Sequence, residues 1–223
     1  MKKILVLIII LISSKALSHM DHYKKYNKIE MDIFRNGELI GYNYYFFTRK
    51  GDETIVTNQI KFAVKLLGAT IFQVEGYGEE KYIKDQLISY ESKTLQNDKE
   101  KFVNLVFDKN KFNIKGSSYS GEASINNIVG NWWSHKILQT DSQISPISGS
   151  IKKQVVTFVG KEKIEQYGKV YNVDRFTLKS KDMTLPKDKR LDFDIWYDQK
   201  TSMILRVAYS RMGNWEYRLK NFE

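Results

Sequence analysis

The chain is 223 residues long, with a formal net charge of +10, 42% hydrophobic and 13% aromatic residues. That length suits one domain, or at most two, and supplies enough apolar material for a substantial core. Cysteine is absent, which excludes a disulfide framework and lipid attachment through an N-terminal cysteine.

Lys2 and Lys3 precede an unbroken apolar run from Ile4 to Ile12, and a short stretch then ends in Ala16-Leu17-Ser18. This is the layout of a cleavable signal peptide. The apolar run is about half of the ~20 residues that a membrane-spanning helix needs, so an anchor is the weaker reading. Cleavage is expected after Ser18. The mature chain, from His19 to Glu223, would be periplasmic and free of a transmembrane anchor, with its charge reduced to +7. A basic balance suits anionic partners such as lipid head groups, although lysines on outward strand positions are first read as solvated surface. Export and the absence of a recognition motif argue against nucleic acid.

From about Tyr23 onward the hydrophobic period is two, the signature of strands. Ile29, Met31 and Ile33 alternate with Lys28, Glu30 and Asp32 before Asn36-Gly37, a strong hairpin signal. A strand from Glu38 to Arg49 places Tyr42, Tyr44 and Phe46 on one face and Tyr45 and Phe47 on the other, which suggests burial on both sides. From Val56 to Leu66, Val56, Ile60, Phe62, Val64 and Leu66 face one way. Further strands are expected at Thr70–Gly76, Lys81–Thr94, Lys101–Phe107 and Lys111–Lys115. After Ile151 the pattern resumes at Val155–Val159, Lys163–Tyr167, Lys169–Lys179, Leu191–Tyr197, Met203–Arg211 and Trp215–Phe222. Sequential strands of this kind pair into an antiparallel meander.

One segment departs from that period. In Ser124–Gln139, Ile125, Ile128, Val129, Trp132, Trp133 and Ile137 fall at three- and four-residue steps, which predicts an amphipathic helix despite Gly130. The expected fold is therefore all-β: a long curved antiparallel meander forming an open half-barrel of about 10–12 strands, with one helix packed against it. Residues 19–223 read as a single β-rich domain.

The stretch Phe34-Arg35-Asn36-Gly37-Glu38-Leu39-Ile40-Gly41-Tyr42, the Asn131-Trp132-Trp133 segment, Gly149, Asp194-Ile195-Trp196-Tyr197-Asp198 and Trp215-Glu216-Tyr217-Arg218-Leu219 carry a resemblance. The chain looks like a family of uncharacterised bacterial envelope proteins, a domain of unknown function. That resemblance implies an exported, all-β protein and supplies no catalytic residues. At the level of fold the pattern is similar to the periplasmic lipoprotein carriers, whose antiparallel sheet curls into a half-barrel closed by helices.

The inventory for catalysis is thin. His19 and His22 sit at the expected mature N-terminus, and His135 reads as a hydrogen-bonded structural residue. Gly116-Ser117-Ser118-Tyr119-Ser120-Gly121 lacks the spacing of a nucleophile elbow and reads as a loop. Gly76-Tyr77-Gly78 reads as a bend between strands; Glu75 and Glu79 share a face and read as a surface pair, while the adjacent Glu80 points to the opposite face. No cofactor and no catalytic residue are expected. A metal reading survives only as copper chelation by a freed His19 amine and imidazole with His22. The aromatic residues Phe62, Phe72, Trp132, Trp133, Trp196 and Trp215 fill the core on the plain reading, or line an apolar cavity on the sharper one, with Trp132 and Trp133 best placed to reach it. The leading expectation is a non-enzymatic envelope protein that binds or carries an apolar or lipid-like ligand. The alternatives are a protein–protein interaction module without a ligand and, third, an envelope hydrolase.

Overall fold

The structure, a computed structural model, describes residues 19–223. The expected signal peptide lies outside the described residues. No helix among the described residues is long and apolar enough to cross a membrane.

Strands β1 (Lys28–Arg35), β2 (Glu38–Lys50), β3 (Glu53–Leu66), β4 (Ala69–Ile83), β5 (Gln86–Gln96), β6 (Lys99–Asp108), β7 (Lys111–Gly116) and β8 (Ser120–Ser124) form a meander that runs outwards from β1. The chain then crosses to the opposite edge. There β9 (Ile128–Val129) and β10 (Ser142–Ile144) start a return path through β11 (Ile151–Gln166), β12 (Lys169–Ser180), β13 (Asp192–Asp198), β14 (Met203–Ser210) and β15 (Asn214–Phe222). β15 ends in the middle of the sheet, paired antiparallel with β1, so the first and last strands lie side by side. Every ladder is antiparallel except the short β9–β10 pair, which is parallel.

The sheet is open, since the edge strands β8 and β9 share no ladder. A loop spans the gap instead. The carbonyl of Pro146 accepts hydrogen bonds from Tyr90 Oη (2.9 Å) and Ser92 Oγ (2.7 Å) of β5, and the carbonyl of Ser148 accepts one from the Ser118 amide (2.9 Å). The return half of the sheet is thereby tied to the outgoing half through the segment between β10 and β11.

Several local features follow from sequence chemistry. Asn36 and Gly37 both adopt positive φ (50° and 83°), the requirement of the tight turn that Asn-Gly favours. Gly41 has a different necessity: a Cβ there would lie 2.1 Å from the Lys61 carbonyl oxygen of β3. Only glycine lets those backbones approach. Tyr45 and Phe47 are buried, whereas Tyr42, Tyr44 and Phe46 are half-buried. The outer face of β2 is thus covered by its own side chains, with Tyr42 stacked on Tyr44 and the Lys28 ammonium over the Tyr44 and Phe46 rings, and not by a second layer.

Among the described residues the sheet has 15 strands, more than the roughly 10–12 expected. β4 and β11 each run through a place where a break was expected. Gly76 and Gly78 sit inside β4, where an added Cβ would come within 3.0 Å of Ile60 and Thr94 or of Tyr90 side-chain atoms, and β11 continues through a bulge at Phe158–Gly160. The β4–β5 turn passes through Lys84 at φ 55°, a left-handed position without the usual glycine or asparagine.

The expected helix at Ser124–Gln139 is not present. Ile128–Val129 instead forms the two-residue strand β9, and His135–Leu138 forms a single 3-10 turn capped by the Ser134 hydroxyl. Gly130 faces Gln143 so closely that a Cβ would lie 1.8 Å from Gln143 Oε1. Val129, Trp133 and Ile137 are buried, and the intervening Asn127, Asn131 and Ser134 are buried as well. From Asn127 to Leu138 no residue is exposed, buried and half-buried positions follow one another, and polar side chains are buried beside apolar ones. The three- and four-residue spacing therefore marks no single wet face and came from irregular burial.

Candidate functional site: a cavity on the concave face

The inner residues of the curled sheet leave a cavity of about 900 Å³. That lies towards the large end of the roughly 300–1,000 Å³ usual for small-molecule sites. Its wall is a chain of aromatic rings contributed by five separate strands and by the segment after β9. Phe72 meets Phe62 (5.9 Å between centroids), Phe62 meets Trp215 (5.5 Å), and Trp215 stacks on Tyr209 (5.8 Å). Tyr209 meets Phe193 (5.4 Å), and Phe193 meets Trp132 (5.1 Å). Strand alternation delivers Phe62, Phe72, Phe193, Tyr209 and Trp215 to one face, because residues two apart on a strand point the same way, whereas Trp132 comes from the irregular segment after β9.

A polar array on the same surface is already paired. Asn58 Nδ2 donates to Asn43 Oδ1 (2.5 Å), Asn43 Nδ2 donates to Tyr45 Oη (2.8 Å), and the Trp132 amide donates to the same phenol oxygen (3.2 Å). Burial holds the Tyr45 pKa well above the ordinary phenol value. The phenol stays protonated and neutral near pH 7.

The segment that carries Trp132 is fixed from behind by a buried carboxylate. Glu80 Oε1 accepts from Trp133 Nε1 (2.8 Å) and Asn131 Nδ2 (2.6 Å), while the Tyr82 hydroxyl donates to Oε2. Burial raises the Glu80 pKa, and those three hydrogen bonds oppose the rise. Glu80 does not line the cavity. It acts on the wall by holding the residues on either side of Trp132.

A second polar cluster joins the start of the described chain to the same segment. His19 and His135 rings lie 4.9 Å apart and His22 and His135 rings 5.1 Å apart. Tyr23 Oη lies 2.7 Å from His135 Nδ1 and accepts from the His135 amide (3.0 Å), and Ser134 Oγ lies 2.9 Å from His19 Nε2. Burial lowers the His19 pKa to about 2, with Lys136 adding to the effect, and burial lowers His135 to about 4, with His22 adding. Both rings are neutral near pH 7. Among the described residues, no group of three or more His, Cys, Asp or Glu is arranged to hold a metal ion.

The aromatic residues singled out from sequence separate into two sets. Phe62, Phe72, Trp132 and Trp215 line the cavity. Trp133 does not; it is buried against Tyr23, Phe47 and Tyr82. Trp196 is also elsewhere, with the Arg175 and Arg206 guanidinium groups over its ring and its indole N–H donated to Glu162. His19 and His22 belong to a 3-10 turn (His19–Tyr23) in which His19, Met20 and Tyr23 are buried, so this end is docked into the fold. Glu75 and Glu79 are on the outer face, Glu75 paired with Lys61 and Glu79 accepting from Tyr77, whereas Glu80 points inward. The inward direction of Glu80 follows from strand alternation, but its burial does not.

A family model for a domain of unknown function, DUF6134, matches residues 31–220. The chain belongs to that family. No curated protein matches this DUF6134 chain. Among solved structures it is similar to the crystal structure of a beta-barrel-like protein of domain of unknown function DUF1849 from Brucella abortus. The similarity covers 88% of this chain and 96% of that one, with a TM-score of 0.60 at 9% sequence identity. At that identity the likeness concerns the fold alone: the DUF6134 chain shares a barrel-like, all-β architecture.

Proposed function

We propose that the protein is exported and binds or carries an apolar or lipid-like ligand without acting as an enzyme. The observation that carries this reading is the cavity, with its continuous wall of Phe62, Phe72, Trp132, Phe193, Tyr209 and Trp215. Removing a methylene group from water is worth about 0.8 kcal/mol, so an acyl chain in such a cavity gains affinity along its length. Asn58, Asn43 and Tyr45 on the cavity surface bond to one another, which suits an apolar occupant that offers them no partners.

Export is supported by the signal-peptide layout of residues 1–18 and by the docking of His19. The His19 and Met20 amides donate to the Asp85 carboxylate at 3.2 and 2.9 Å. Cleavage after Ser18 would leave an α-ammonium group at His19 within reach of that carboxylate.

Titration with the fluorescent probe N-phenyl-1-naphthylamine tests the cavity. Saturable uptake at one probe per chain, displaced by long-chain fatty acid, is expected. Absence of uptake would remove the ligand-binding reading.

A further inference from the structure

The rim of the cavity differs in composition from its wall. Ile71, Met183 and Met212 line it, yet all three are exposed, Met212 at 89%. Beside them stand Arg35, Lys152, Lys187, Arg190 and Arg211, while Asp192, the one acidic residue in the lining among the described residues, pairs with Lys179 at 3.5 Å. The surface around the opening is therefore both apolar and cationic.

These loops are held in place. Arg211 Nη2 donates to the Arg190 carbonyl (3.3 Å), the Arg35 guanidinium donates to the Met212 carbonyl, and Trp215 Nε1 donates to the Arg211 carbonyl (2.8 Å). Met212 sits at the tip of its turn with φ 52°, a conformation in which asparagine or glycine is the usual occupant. Its side chain packs into nothing, so the fold alone does not account for a large apolar residue there. The hairpin that bears Ile71 ends similarly: Leu66 is exposed, and Leu67, at φ 50°, is 100% exposed. Single exposed apolar residues are ordinary on protein surfaces. Here Ile71, Met183 and Met212 gather at one opening, among guanidinium and ammonium groups, with Leu66 and Leu67 at the tip of the hairpin that carries Ile71.

We propose that the mouth of the cavity docks on an anionic lipid bilayer. Met183, Met212, Ile71 and the Leu66–Leu67 tip enter the headgroup region while the surrounding Lys and Arg side chains meet the phosphates. Interfacial binding of this kind combines apolar insertion with attraction to anionic lipid. The purpose of docking rests on the ligand-carrier reading, since it would let an acyl chain pass between bilayer and cavity without crossing water.

The test is flotation of the mature protein with vesicles of phosphatidylglycerol and phosphatidylcholine, against vesicles of phosphatidylcholine alone. The mature protein should float at least tenfold more with the anionic vesicles, and the excess should fall as salt is raised. Leu67→Asp and Met212→Asp should each reduce it severalfold. Leu67 stands outside the cavity, so Leu67→Asp should retain full uptake of N-phenyl-1-naphthylamine, which shows that it has folded. Equal flotation with both vesicle types, flotation unaffected by both substitutions, or formation of a dimer in place of flotation would each overturn docking. Lost probe uptake with intact flotation would instead overturn the carrier reading alone.

Discussion

Glu80 Oε1 accepts a hydrogen bond from the Trp133 indole at 2.8 Å, and both side chains are buried. This contact joins β4 to the irregular segment that closes the concave face, and Asn131 adds a second bond to the same oxygen. Glu80→Gln retains an acceptor for both donors and should cost about 1–2 kcal/mol. Glu80→Ala leaves the buried donors of Trp133, Asn131 and Tyr82 without partners and should cost about 3 kcal/mol or more, read as a fall in the urea midpoint. Equal effects of the two substitutions would show that Glu80 acts only by filling space.

Gly41 gives a sharper steric prediction. A Cβ at that position would meet the Lys61 carbonyl at 2.1 Å and Phe62 Cβ at 2.4 Å, both in the paired strand. Gly41→Ala should destabilise the protein by about 3 kcal/mol and disturb probe uptake, because Phe62 lines the cavity. Thermal unfolding of Gly41→Ala within a degree or two of the unmodified protein would contradict the close approach.

The buried histidines set a pH dependence. Their folded pKa values, about 2 for His19 and about 4 for His135, lie below the ordinary 6.5. The unfolded chain therefore binds protons that the folded chain refuses, and stability is full above pH 6.5 and lost as pH falls towards 4. Glu80 works in the opposite sense, since its raised pKa gives stability that is present below the ordinary 4.5 and is lost as pH rises above it. His135→Gln should flatten the decline between pH 6.5 and 4 in a series of urea titrations. An unchanged slope would show that His135 is not buried neutral.

The N-terminal turn offers a test of docking within the fold. Asp85→Asn weakens the carboxylate that receives the His19 and Met20 amides and should cost about 1–2 kcal/mol in protein beginning at His19. Limited proteolysis should then cut near Tyr23–Lys25 sooner than in the unmodified protein. Identical cleavage rates would mean that this anchor contributes nothing.

Legibility from sequence followed the physics of each element. A strand with one wet face, such as β3 with Gln59, Lys61 and Lys65 exposed, was readable because alternation records the boundary between core and water. The Asn36-Gly37 turn was readable because its backbone demands those residues. Ser124–Gln139 misled because its central residues, Asn127 to Leu138, are all buried or half-buried, polar and apolar alike, so hydrophobic spacing there carries little information about period. The same limit separated Trp132, which reaches the cavity, from Trp133, which does not. Glu80 was visible as a carboxylate facing away from Glu79, but its partners at Asn131 and Trp133 lie 51 and 53 residues away in sequence. The meeting of His19 and His22 with His135 depends likewise on docking of the N-terminal turn, a long-range contact without a local signal.

The aromatic wall supports a further substitution. Phe72 is partly buried, packs against Phe62 and lines the cavity. Phe72→Asp places a carboxylate among apolar groups and should weaken uptake of N-phenyl-1-naphthylamine at least tenfold while the far-ultraviolet circular dichroism of the sheet is kept. Undiminished uptake would place the probe somewhere other than this cavity.

The central claim is that the cavity holds an apolar ligand, and native mass spectrometry of protein purified from its native host without detergent tests it most directly. The account predicts a species heavier than the mature chain by one bound acyl-containing molecule, released on extraction with organic solvent and absent from Phe72→Asp. Protein found only at the mass of the bare chain, and unable to take up fatty acid when it is offered, would contradict it.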